Sequence, residues 1–181
     1  MKIEIISGSP REASITVRLA RHLYQVLQEK EGVEAGLIDV RSYDLPFVQQ
    51  VWSAPGKVPA EFKDLGDRIF SADAFILVSP EYNGGYSPAL KNLLDHFPKQ
   101  SRKAFGIATG TDGALGAMRA AQQLVQLVAA LFGILSPRLL ITPHADKKFD
   151  TEGHLLDPDF RKAVDIFVEE FLWLTEKLNE K

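Results

Sequence analysis

Two stretches of this 181-residue sequence gather most of the side chains able to do chemistry, and each follows a short apolar run. The first is Ser7-Gly8-Ser9-Pro10-Arg11-Glu12-Ala13-Ser14, which leads straight into a helical pattern. Free N–H groups at a helix N-terminus, the hydroxyls of Ser9, Ser14 and Thr16, and the Arg11 guanidinium together suit a phosphate. Arginine supplies a forked, permanently charged donor set for phosphate oxygens. The same residues equally suit an ordinary capped helix, with Ser14 as N-cap and Arg11 in solvent. The stretch lacks the Gly-Lys-Ser/Thr ending of a P-loop and is not Gly-x-Gly-x-x-Gly. A mononucleotide phosphate therefore fits it better than a dinucleotide pyrophosphate.

The second stretch runs Ser79-Pro80-Glu81-Tyr82-Asn83-Gly84-Gly85-Tyr86-Ser87-Pro88-Ala89-Leu90-Lys91-Asn92. Glycines let backbone approach a flat ligand, Tyr82 offers a stacking face, and loop N–H groups can meet ring acceptors. Tyr-Asn-Gly-Gly is also an ordinary turn sequence, and Leu90, Leu93 and Leu94 read as core. A third loop, Thr109-Gly110-Thr111-Asp112-Gly113-Ala114, follows another apolar run; Asp112 is a candidate cap for the helix after it.

These loops need a frame, and the pattern of the chain provides one. Strands are predicted over residues 2–7, 33–40, 74–78, 103–109 and 135–142. Between them, helices are predicted from Ile15 to about Lys30 and over 58–71, 87–97 and 115–132, with a last one from about Pro158. Residues 43–57 contain Pro46, Pro55 and Gly56 and read as loop. Ser87 is placed to cap the third helix, with Pro88 as its first residue. Strand alternating with helix implies a parallel sheet covered on both faces. The expectation is one doubly wound α/β domain over residues 1–181, with ligands bound outside the carboxyl ends of the strands where strand order reverses.

Composition bounds the chemistry. A net charge of -3 and scattered basic residues give no field for nucleic acid. The absence of cysteine excludes disulfides and thiolate chemistry and fits a cytoplasmic protein. No signal-peptide pattern or membrane span is expected. His22, His96, His144 and His154 lack metal spacing, and His22 is expected on the surface of the first helix. The fourth helix leaves mainly Arg119 and three glutamines to face water, which calls for burial on more than one side. A subunit interface or cover by a neighbouring loop would each satisfy it.

Pro80-Glu81-Tyr82-Asn83 followed by Leu90-Lys91-Asn92, with Gly8-Ser9 and Arg11 to Ser14 upstream, resembles the signature of the NADPH-dependent FMN reductase family. The resemblance runs over most of the chain and implies a flavodoxin-like fold, a five-stranded parallel sheet in the order 2-1-3-4-5. By position it implies that Ser9, Arg11, Ser14, Ile15 and Thr16 hold the FMN phosphate. Pro80, Glu81, Tyr82, Asn83 and Gly84 would flank the isoalloxazine, and Thr109 and Gly110 would reach its pyrimidine edge. Ile15 and the shifted proline at Pro88 depart from the commoner pattern. The implied activity uses NADPH or NADH as co-substrate and passes electrons through FMN to a quinone, azo compound, metal ion or free flavin. No side chain is assigned a catalytic role, because the cofactor carries the chemistry. Family members commonly form homodimers or homotetramers. The alternative is an FMN-binding electron carrier or a non-catalytic flavin-binding protein.

Overall fold

Each apolar run becomes a strand, and the amphipathic stretches between them become helices. The computed structural model describes residues 1–180. Its strands are β1 Lys2–Ser7, β2 Glu34–Asp39, β3 Ala74–Ser79, β4 Ala104–Gly110 and β5 Ile134–Thr142. The helices are α1 Thr16–Gln28, α2 Lys63–Ser71, α3 Pro88–Asp95, α4 Met118–Ala130, α5 Ala145–Lys148 and α6 Arg161–Asn179. All strand pairs are parallel and the order is β2-β1-β3-β4-β5. The flavodoxin-like arrangement expected from the sequence is the one found.

Every residue of β3 and β4 is buried, as befits central strands covered on both faces. On one face Ile6, Leu77 and Ile107 meet Ile69 of α2, Leu93 of α3 and Leu124 of α4. On the other, Ile5, Ile76 and Ala108 meet Leu19 and Leu23 of α1 and Phe167 and Phe171 of α6. Burying the Leu, Ile and Phe side chains stabilises the fold by about 1.5–3 kcal/mol each. Glu4 of β1 and Arg68 of α2 form a bidentate ion pair with N···O distances of 3.0 and 2.5 Å. Gly36 beside it has no room for a side chain, since a Cβ there would lie 2.4 Å from the Glu4 carboxylate.

Several boundaries differ from the sequence expectation for physical reasons. The fourth helix begins at Met118, not near Leu115, because Gly116 and Ala117 are left-handed with φ of 58° and 63°. Proline at 59 and 158 makes the first turns of the second and last helices 3₁₀, so α2 and α6 start at Lys63 and Arg161. The edge strand β5 is irregular: Leu135 pairs with Phe105 and Leu139 with Ile107, so Ser136, Pro137 and Arg138 lie opposite the single residue Gly106. Within one chain α4 buries only one face, through Ala120, Ala121, Leu124, Leu127 and Val128. Its outer face carries Gln122, Gln123 and Gln126, so the all-round burial expected of it is not met inside the chain.

His22 is a second correction. It is 6% exposed, not on the surface, because the segment from Phe149 to Leu155 folds over α1. Its Nδ1 lies 2.9 Å from the Gly153 carbonyl, and its ring meets Phe149 at a centroid distance of 5.0 Å. Burial pushes the imidazole below the ordinary histidine value, against the raising effect of the Gly153 carbonyl. The unfolded chain therefore takes up a proton here before the folded one does. Stability from this site is fully present above about pH 6.5 and is lost as pH falls from there towards the folded value. Urea unfolding should show a falling midpoint below about pH 6.5 that is shallower in His22→Gln. An identical pH slope in that variant would exclude His22 as the source.

Candidate functional site

The crossover after β1 passes to one face of the sheet and the crossover after β3 passes to the other, so a cleft opens between their carboxyl ends. Its lining comes from three loops: Ser9, Arg11, Ala13, Ser14, Ile15 and Thr16; Pro80, Glu81 and Tyr82; and Gly110, Thr111 and Asp112. The cleft is small, about 80 Å³, and open to solvent.

The first loop turns on Gly8. Gly8 donates to the Val78 carbonyl at 2.8 Å, and a Cβ on it would sit 2.9 Å from that of Leu90, so glycine lets the chain turn tightly against β3 and α3. Among the described residues, the backbone N–H groups of Arg11, Glu12, Ala13, Ser14, Ile15 and Thr16 have no protein acceptor. They lie at the positive end of α1. Ser14 Oγ accepts from Val17 N at 3.1 Å, capping the helix, and keeps its own hydrogen to donate outward. The Thr16 hydroxyl is committed differently: it donates to the Gly110 carbonyl at 3.1 Å and ties α1 to the loop after β4. Ile15 lines the cleft as the residue preceding α1.

Arg41, which sequence reasoning passed over, fixes this loop from outside. Its Nη1 donates to the Glu12 carbonyl at 3.0 Å, and its Nε and Nη2 grip the Asp39 carboxylate at 3.0 and 2.5 Å. That hydrogen-bonded carboxylate holds the guanidinium above its ordinary value. The only sequence signal was Asp39 ending a strand two residues before an arginine.

The second loop is a tight hairpin. Tyr82 and Gly85 exchange both backbone hydrogen bonds, at 2.8 and 3.0 Å, around Asn83 and Gly84 with φ of 51° and 80°. Two successive positive φ values define the type I′ turn that Asn-Gly favours. Ser79 closes the base: its Oγ accepts from Ser87 N at 3.0 Å and donates to the Pro80 carbonyl at 2.9 Å. Ser87 caps α3 by accepting from Ala89 N, as its sequence position predicted. The Tyr82 ring faces the first loop, with the Arg11 guanidinium 4.7 Å from its centroid and Ser9 Oγ 3.4 Å from its hydroxyl.

Not every expected residue reaches the cleft. Asn83 and Gly84 form the turn tip beyond it. Thr109 is fully buried and donates to the Gly116 carbonyl at 2.8 Å, so its hydroxyl holds the next loop in place. Thr111, Asp112 and Ala13 line the cleft without having been singled out for it. Asp112 does not cap α4; the Glu81 carboxylate does, accepting from Arg119 N and Ala120 N at 3.1 and 3.3 Å.

A flavodoxin-like sheet with a three-loop cleft at its switch point is the arrangement in which doubly wound α/β proteins bind ligands. Comparison with known proteins narrows it. The sequence profile of the NADPH-dependent FMN reductases matches residues 1–147. The FMN-dependent NADPH-azoreductase of Staphylococcus aureus (strain USA300) is 30% identical over 178 residues, covering 95% of this chain and 94% of that protein. Two solved structures share the fold. One is the flavoenzyme NAD(P)H:(acceptor) oxidoreductase FerB of Paracoccus denitrificans, with TM-score 0.75, 24% identity and 97% of each chain covered. The other is a flavodoxin mutant from Pseudomonas aeruginosa, with TM-score 0.59, 20% identity and coverage of 95% of this chain and 99% of that one. The chain belongs to the NADPH-dependent FMN reductase family, whose members are oxidoreductases.

Removing the Arg41 side chain should loosen the first loop before anything binds. In Arg41→Ala, the backbone order parameters of residues 11–14 should fall below those of the wild type, with β1 unchanged. Equal order parameters in both proteins would show that Arg41 does not brace the loop.

Proposed function

We propose that the cleft binds FMN and that the protein is an NAD(P)H-dependent FMN oxidoreductase acting on small-molecule electron acceptors. The observation that carries this reading is the run of unpartnered N–H groups from Arg11 to Thr16, on a loop that lines the cleft beside the Arg11–Tyr82 pair. Those N–H groups, the Ser14 hydroxyl and the Arg11 guanidinium would hold the phosphate. Ser9 stands beside them, 2% exposed, with its hydroxyl turned towards that of Tyr82. Pro80, the Glu81 backbone and Tyr82 would flank the ring on one side, and Gly110, Thr111 and Asp112 on the other.

When bound, FMN supplies the redox chemistry, taking a hydride equivalent from the reduced nicotinamide and yielding two electrons to the acceptor. The chain's own part is to bind and orient. Loop N–H groups beside the ring would favour negative charge on it when the cofactor is reduced. A cleft open to solvent would let the two reactants reach the ring in turn. Azo compounds are the first acceptors to assay, given the name of the Staphylococcus aureus relative, followed by quinones and free flavins.

Two measurements test the reading. Purified protein should bind FMN, and anaerobic NADPH should bleach the bound flavin; a flavin that stays oxidised would leave only an electron-carrier role. Arg11→Ala should weaken FMN binding by about 1.5–3 kcal/mol, the worth of a hydrogen bond to a charged group. Unchanged affinity would remove Arg11 from the phosphate site.

We further propose that the chain is a homo-oligomer, a dimer or tetramer, joined through the outer side of α4. Leu115 just before its start, Met118 at its start and Phe132 just past its end are 60%, 42% and 62% exposed, large apolar side chains left uncovered in one chain. Light scattering at micromolar concentration should give a multiple of 20.1 kDa. A monomer would refute the assembly and leave the site reading intact.

A further inference from the structure

Glu81 sits in the segment expected to flank the ring, yet its carboxylate is turned away from the cleft. Oε2 accepts from Arg119 N at 3.1 Å and Ala120 N at 3.3 Å, and Oε1 accepts from Arg119 Nη1 at 2.9 Å. The Glu81 side chain is 15% exposed, whereas Arg119 lies at the surface. The recipient helix has no cap of its own: Ala117 at its N-cap is left-handed, with φ of 63°, and makes no side-chain bond. One turn along, Gln123 Nε2 donates to the Gly84 carbonyl at 3.1 Å. Arg119 and Gln123 stand four residues apart, hence on one helix face, and between them hold both sides of the hairpin tip.

We infer that Glu81 is a positioning residue: by capping α4 from the loop after β3, it fixes where that loop presents Tyr82 and its backbone N–H groups to the flavin. The inference rests on the FMN reading above. A negative charge at a helix N-terminus is favourable, and the N-cap bonds are of the kind whose loss costs a helix about a kcal/mol. Here the same bonds join two elements. Without these bonds the hairpin would be tethered only by Gln123 and its base at Ser79. The loop's opposite side is not a substitute anchor, because Tyr82 meets Ser9 and Arg11 through one long hydroxyl contact and one stacked guanidinium.

The test separates positioning from simple helix capping. Wild type, Glu81→Gln, Glu81→Ala and the double variant Glu81→Ala/Ala117→Gly are compared by thermal melting, FMN titration and visible circular dichroism of the bound flavin. Glycine suits the left-handed φ at 117 and stiffens nothing else, so the double variant should regain stability lost by Glu81→Ala. Expected is FMN binding weakened roughly tenfold in Glu81→Ala, the scale of a lost charge-assisted contact, with an altered flavin dichroism. Neither should be restored in the double variant, and Glu81→Gln, which keeps one acceptor oxygen for the helix N–H groups, should lie between. Recovery of affinity and dichroism along with melting temperature would overturn the inference, as would a Glu81→Gln or Glu81→Ala protein that binds FMN like wild type. Wild-type protein that binds no FMN would instead defeat the cofactor reading itself, and this inference with it.

Discussion

The parallel pairing of β1 with β3 is the constraint on which the site depends. Their register runs from Ile3 opposite Ala74 to Ser7 opposite Val78, and Gly8 continues the ladder one bond further. Beyond that bond the two chains part, one towards α1 and the other towards α3. A cleft at this point follows from topology alone, since right-handed crossovers on opposite faces cannot both cover the same strand ends. The chemistry of the cleft is then decided by whichever residues occupy the first turns beyond Ser7, Ser79 and Gly110.

Those turns are held mostly by groups that touch no ligand. Arg41 braces the first loop from the end of β2, and Thr16 joins it to the third loop. Ser79 pins the base of the second loop, and Thr109 pins the return of the third. Each is a short side chain or a fully engaged guanidinium, with little rotamer freedom left once its bond is made. A loop surrounded by such staples can keep several N–H groups unpartnered without a ligand to order them. Preorganisation of that kind lowers the entropic cost of binding.

The sequence exposed what depends on neighbours in the chain and concealed what depends on the fold. Ser14 and Ser87 were legible as caps, and Asn83-Gly84 as a turn, because their partners lie within four residues. The parallel, doubly wound class followed from the alternation of apolar runs with helical stripes, and the strand order from the resemblance to the FMN reductase family. Arg41 and Glu81 were not legible in the same way, since their bonds span 29 and 38 or 39 residues. Thr109 was misjudged for a related reason: a threonine ending a strand can face the cleft or the following loop, and only packing decides. His22 lies one position off the stripe of Leu19 and Leu23, and its burial comes from the hairpin at 149–155, which α1 gives no sign of. The left-handed Ala117 follows from no local preference, since alanine has none for that region.

The irregular pairing of β5 has a consequence for the protein as a solute. An outermost strand of nine residues would ordinarily present a ready ladder to any extended chain that drifts past. Here the run Ser136-Pro137-Arg138 sits opposite one glycine, and Pro137 has no N–H to offer. The strand is thereby split into two short stretches out of step with one another, with a positive charge at the break. A single misfolded neighbour would have to match both halves at once to add to the sheet. The feature protects the open side of the molecule from runaway self-pairing during synthesis, when many copies are crowded and partly folded.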